Sequence, residues 1–177
     1  MRSTTIAALP VAALTVLGGT SLYAATIGED AAFCDAGRGP AIEVNVRGLK
    51  DRAGELWLEL YPATHADYLA PDQDLVAAGK VFRRTRAKLP PSGEVAICIR
   101  VPRPGRYALL LRHNRVGRDK FSLWNDGAGI PANRALGRSK PTLDQGVVDA
   151  GIGITTVSID VQYLRGFGFA PLRRSTN

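Results

Sequence analysis

Val95-Ala96-Ile97-Cys98-Ile99-Arg100-Val101, then Pro102-Arg103-Pro104-Gly105, then Tyr107-Ala108-Leu109-Leu110-Leu111: this stretch decides the fold class. Val95, Ile97, Ile99 and Val101 recur at every second position, the period of a pleated strand with one apolar face. Cys98 points to the opposite side. The Pro-x-Pro-Gly cluster then turns the chain, and Tyr107 to Leu111 is a continuous apolar run suited to a central strand. Tyr107 follows Pro104-Gly105 with an apolar ring and a polar tip. It is expected to fix the corner by bonding its hydroxyl to nearby backbone.

The same rhythm extends upstream. Ile42, Val44 and Val46 alternate with Glu43, Asn45 and Arg47. After the polar turn Gly48 to Gly54, Leu56, Leu58 and Leu60 alternate with Trp57, Glu59 and Tyr61. These two strands are expected to form a hairpin. Thr64-His65-Ala66-Asp67 has the form of a capping box, and a second helical turn is expected around Leu75 to Ala78. Val81 to Leu89 alternates again, with Arg84, Arg86 and Lys88 on a face expected to be solvated or to protect a sheet edge. Arg83 breaks that pattern. Downstream, Arg112 to Lys140 reads as a long irregular loop, Val147 to Ile152 as an edge strand, and Val157, Ile159, Val161 and Tyr163 as the last strand.

Six or seven short strands without a long helix predict an all-β fold, an antiparallel β-sandwich with one long loop. The sandwich is expected over residues 41–165, after an irregular arm over 25–40 and before a tail over 166–177. Residues 1–24 read as a signal peptide: Arg2, an apolar run from Ile6 to Leu17, a small polar exit, and cleavage after Ala24. A retained membrane anchor is the other reading of this segment. Nothing later in the chain is apolar enough to span a bilayer.

The compartment governs the cysteines. Cys34 and Cys98 are the only two, and outside the cytoplasm a lone pair in a small domain is expected to form one disulfide. Chain entropy gives such a cross-link about 4 kcal/mol. The alternative is two buried free thiols.

The net charge is +7, and removing the leader takes away only Arg2. A basic exported protein meets anionic lipids, lipopolysaccharide or acidic polysaccharide more readily than nucleic acid. Solubility also accounts for the charge.

Familiar enzyme chemistry finds little purchase. There is no Gly-x-Ser-x-Gly elbow, and Ser139 lies in turn-like sequence. Only His65 and His113 exist, without metal-ligand spacing, so no metal site is expected, and His65 with Asp67 reads as a solvated cap. Asp119 and Asp126 share the long loop as a carboxylate pair, but nothing fixes their separation. Gly127-Ala128-Gly129 imitates a dinucleotide fingerprint, yet Pro131 interrupts it and no helix follows. No cofactor and no catalytic residue is assigned.

The long loop is the best binding candidate: Arg112, His113, Asn114, Arg118, Lys120, Trp124 and Asp126, with Arg115, Phe121 and Asn125 beside them. Cations beside aromatic rings make a surface for sugars or anionic polymers. Phe121 and Trp124 covering an open end of the sandwich is the blander reading.

The order of motifs resembles an exported bacterial family called domain of unknown function 2141. The resemblance is carried by Ile42-Glu43-Val44-Asn45-Val46-Arg47-Gly48-Leu49, Leu58-Glu59-Leu60-Tyr61 and Arg103-Pro104-Gly105-Arg106-Tyr107-Ala108-Leu109. His113-Asn114, Gly129-Ile130-Pro131 and Ile159-Asp160-Val161-Gln162-Tyr163 complete it. It implies a secreted or periplasmic sandwich of immunoglobulin-like or transthyretin-like kind, and no activity. Many members of that family carry an acidic, calcium-like loop after the His. Here Arg115, Arg118 and Lys120 replace much of the negative charge that calcium needs. The expected role is a non-catalytic binding or structural module of the cell envelope, with an anionic envelope polymer or polysaccharide as partner. The alternatives are a hydrolase of envelope polymers using residues 112–140, or a carrier holding a small ligand between two sheets.

Overall fold

The computed structural model describes residues 24–172, so the expected leader up to Tyr23 lies outside the described residues. The chain runs β1 (Ala25–Ile27), α1 (Ala31–Asp35), β2 (Ala41–Arg47), β3 (Glu55–Pro62), α2 (Asp72–Ala77), β4 (Arg83–Lys88), β5 (Val95–Arg100) and β6 (Gly105–Asn114). It continues through β7 (Gly127–Gly129), α3 (Leu143–Gly146), β8 (Val147–Ala150), β9 (Ile154–Asp160), β10 (Gln162–Arg165) and β11 (Gly168–Pro171). No described helix is long and apolar enough to cross a membrane.

Two sheets form an all-β sandwich. One has four strands in the order β1-β5-β2-β9. The other has seven, in the order β11-β10-β7-β6-β3-β4, with β8 paired to β6. The alternating residues of the sequence meet between them: Ile42, Val44, Ile97, Ile99 and Ile159 from one side, and Leu56, Leu58, Leu60, Leu109 and Leu111 from the other. All ten are fully buried. The seven-stranded sheet is antiparallel throughout, whereas β1/β5 and β2/β9 in the smaller sheet are parallel.

Two expectations about connectivity change. β2 and β3 do not form a hairpin: β2 pairs with β5 and β9, while β3 pairs with β4 and β6. The turn from Gly48 to Gly54 instead carries the chain across the core, so the two apolar faces confront one another. Gly54 sits at φ +72°, and a Cβ there would lie 2.1 Å from the Asn114 carbonyl oxygen, so only glycine fits. The last alternating run is two strands, since the chain leaves the small sheet at Asp160 and enters the large one at Gln162. Val161 bridges them, its N–H donating to the Arg47 carbonyl at 2.8 Å. A strand that bends around a corner keeps the same face inward, so the period survives the change of sheet.

Both flanks of the expected sandwich carry regular structure within the described residues. β1 and α1 occupy the arm, and Phe167 and its neighbours in the expected 166–177 tail form the tip of a β10–β11 hairpin, residues 173–177 lying outside the described residues. Cys34 and Cys98 form the disulfide, with Cα atoms 6.2 Å apart, fastening α1 to β5. Arg83 lies on the same side of β4 as buried Thr85 and meets Asp30 at 3.1 Å. The Tyr107 hydroxyl donates to the Arg103 carbonyl at 2.9 Å, the expected corner bond.

Candidate functional site

The outward face of β3 carries Trp57, Glu59 and Tyr61, and all three are buried. The register explains how. Arg112 and Arg86 flank Trp57 on the neighbouring strands, and Leu110 and Arg84 flank Glu59. Three guanidinium carbons lie over the Trp57 ring: Arg86 at 3.9 Å, Arg112 at 4.7 Å and Arg84 at 5.3 Å from its centroid. The Glu59 carboxylate accepts from Arg84 Nε at 2.8 Å, from Arg112 at 3.4 Å and from the Tyr61 hydroxyl at 2.7 Å. Arg84 also reaches Asp72 at 3.0 Å. Burial, with the Glu59 charge behind it, raises the Tyr61 hydroxyl well above its ordinary value, so it remains a donor. The Arg84–Arg86–Lys88 strip is therefore not a simple solvated face. Arg84 is a structural cation over a buried acid, although β4 does form the sheet edge.

Next to this ionic cluster the outer face dips. Ala128 on β7 stands in the same row as Arg112 and Gln162, and its short side chain leaves a depression. Leu110, Ala128, Leu164 and Phe169 make an apolar floor, and Glu59 and Arg112 close one end. The result is an open cleft of about 600 Å³.

Two segments wall it. Phe121, Leu123 and Trp124 come from the loop after β6, and Leu136 to Pro141 come from the other side. Phe121 packs on Phe169 with centroids 5.9 Å apart and lies 5.5 Å from the Arg112 guanidinium carbon. The opposite wall is tied down by paired backbone bonds between Gly137 and Phe169, at 3.1 and 2.7 Å. The Gln162 amide holds it too, donating to Arg134 and accepting from Leu136. Arg138 and Lys140 stand exposed on this wall, without an ion-pair partner among the described residues. The Nε–H of Arg112 is likewise buried with no partner among them.

Of the binding candidates read from the sequence, the structure brings Arg112 and Trp124 into the cleft and places the others elsewhere. The long loop begins later than expected, because β6 runs through Asn114 and pairs with β3 and β7. Arg112 faces outward and His113 inward. His113 is fully buried, with Nδ1 2.6 Å from the Tyr163 hydroxyl and Nε2 2.8 Å from the Ala53 carbonyl. Asn114 and Asp126 shape the loop. Asn114 bonds the Arg118 backbone twice, while the two Asp126 carboxylate oxygens accept the N–H groups of Arg115 and Ser122 at 2.9 and 2.8 Å. Asp126 is thus fully engaged and buried, whereas Asp119 is exposed, so they do not form a facing carboxylate pair. Arg118 and Lys120 are exposed on the loop that carries Trp124. Asp67 is buried against Thr64 and Lys80 instead of joining His65 in a solvated cap.

Sequence reasoning missed Glu59, Leu164, Phe169, Arg138 and Lys140 as lining residues. The signal available was that the outward side of β3 carries two large aromatic rings, Trp57 and Tyr61, more apolar surface than a solvated strand face usually shows.

Fold and site define an all-β sandwich with an apolar cleft on the outside of its larger sheet. The model of a bacterial family described as "Uncharacterized protein conserved in bacteria (DUF2141)" matches residues 44–158, and the chain belongs to that family. Neither the curated proteins nor the solved structures yielded a match to it.

Proposed function

We propose that this chain is an exported, non-catalytic binding module of the bacterial envelope whose outer cleft takes an anionic amphiphile. The apolar body lies on Leu110, Ala128 and Leu164, and the anionic group faces the Arg112, Arg138 and Lys140 cations. The observation that carries this reading is the shape of the site: an apolar groove, with a size typical of small-ligand sites, ending on the Arg112 guanidinium, which Glu59 engages on one side and whose Nε–H has no partner among the described residues. An extended sugar polymer would find few hydrogen-bonding groups on such a floor. The hydrolase alternative loses support because Asp126 is occupied by backbone amides. A carrier between the sheets loses it because that space is filled by packed Leu, Ile and Val side chains. Export is supported by the leader-like N-terminal sequence and by the Cys34–Cys98 bond.

The test is binding of 11-(dansylamino)undecanoate, followed by its fluorescence. The wild-type protein binds it at one site, and laurate displaces it while dodecyltrimethylammonium does not. Leu164→Glu weakens binding roughly tenfold or more by placing a carboxylate on the apolar floor. Arg138→Ala with Lys140→Ala weakens it less and removes the preference for the anion. No saturable binding, or binding indifferent to all three substitutions, would contradict the proposal.

A further inference from the structure

Three large apolar side chains stand in solvent at the mouth of the cleft: Leu123 is 58% exposed, Trp124 82% and Phe167 87%. They come from two separate segments, the loop after β6 and the tip of the β10–β11 hairpin, and all line the same opening. The structure gives them no packing role that would explain this exposure. The segments around them also carry an excess of positive charge. Arg118, Lys120, Arg138, Lys140 and Arg165 are all exposed, and none has an ion-pair partner among the described residues. Against them stands exposed Asp119, since Asp126 is buried and bonded to backbone.

We propose that this mouth docks on the surface of an anionic lipid bilayer. The indole of Trp124 and the ring of Phe167 enter the interfacial layer, and the surrounding cations face the headgroups. Aromatic rings settle at the boundary between headgroups and chains, and a negative lipid surface attracts clustered Lys and Arg. A soluble polyanion would satisfy the cations but leave the three apolar side chains in water. The bilayer accounts for both. This inference deepens the reading of the cleft, because docking sets its opening against the place where amphiphiles reside.

The two tryptophans make the test specific, since Trp57 is 3% exposed and Trp124 82%. The protein is mixed with vesicles of phosphatidylglycerol bearing brominated chains, with matching phosphatidylcholine vesicles, and with heparin. Trp124 emission is expected to shift to shorter wavelength and be quenched by the anionic vesicles only, with the quenching lost in Trp124→Phe. Phe167→Ser, with Trp124 still reporting, weakens the response roughly tenfold, and Arg138→Ala with Lys140→Ala abolishes the preference for phosphatidylglycerol. Absence of quenching by phosphatidylglycerol vesicles at low salt overturns docking. A Trp124 response to heparin alone also overturns it and assigns the basic rim to a soluble polyanion. Binding of monomeric dansylaminoundecanoate separates the two ideas. If it persists without vesicle quenching, only docking fails; if quenching persists without it, only the cleft reading fails.

Discussion

The His113 imidazole lies wholly out of solvent between two oxygen atoms, and this fixes its proton. The Ala53 carbonyl can only accept, so Nε2 carries the hydrogen, and Nδ1 accepts from the Tyr163 hydroxyl. That hydroxyl accepts in turn from the Lys50 N–H at 3.0 Å, and burial leads the causes that push it up to about 12. Burial also holds His113 below its ordinary value of 6.5, with Arg115 acting in the same direction. The Ala53 carbonyl, Asp51 and Asp126 oppose it, and Asp51 itself is drawn low by its bond to Arg115. Since the folded protein resists a proton that the unfolded chain accepts, this stabilisation is complete above about pH 6.5 and declines as pH falls from there toward the lower folded value. Urea titrations between pH 7.5 and 5 should therefore show stability falling with acidification more steeply in the wild type than in His113→Gln. Equal slopes would show that His113 contributes nothing to the pH dependence. The inward position of His113 was legible: it continues the parity of Tyr107, Leu109 and Leu111. A stop assigned to β6 at Leu111 hid it.

At the scale of elements, the pattern located β2 to β6, β8 and the β9–β10 run but not their sheets, and it missed β1, β7 and β11. β3 shows the limit on one side. Its inward Leu56, Leu58 and Leu60 were plain, whereas its outward Trp57 and Glu59 were buried by arginines that β4 and β6 set beside them, and Tyr61 by Tyr68 and Phe82 packed on its ring. No window along one strand contains that information. The β9–β10 run shows the other limit, since a corner leaves the alternation intact. β7 is the element that a sequence pattern was least able to find. It is three small residues wide, and its smallness serves packing: a Cβ on Gly127 would lie 2.6 Å from both the Tyr163 ring and Val161. Gly127→Ala should then cost about 1–3 kcal/mol, measured by chemical denaturation, because two buried side chains must move. It should also lower cleft binding by lifting Ala128 from its row. A substitution neutral in both assays would mean that β7 does not set the depth of the cleft.

At the scale of the molecule, one face of each sheet builds the core and the outer face of the larger sheet builds the site. The sandwich followed from alternation, turn chemistry and the lack of a long helical pattern. The cleft did not, because it depends on β6, β7, β10 and β11 lying side by side, and on two distant segments closing over them. Its location also separates this account from a carrier with an internal cavity. The most direct measurement is a methyl NMR titration of the wild-type protein with laurate below its micellar concentration. Resonances of Leu110, Ala128 and Leu164 should shift saturably, while those of Leu58, Leu109 and Ile97 between the sheets stay in place. Shifts confined to the inter-sheet methyls, or none at all, would contradict it.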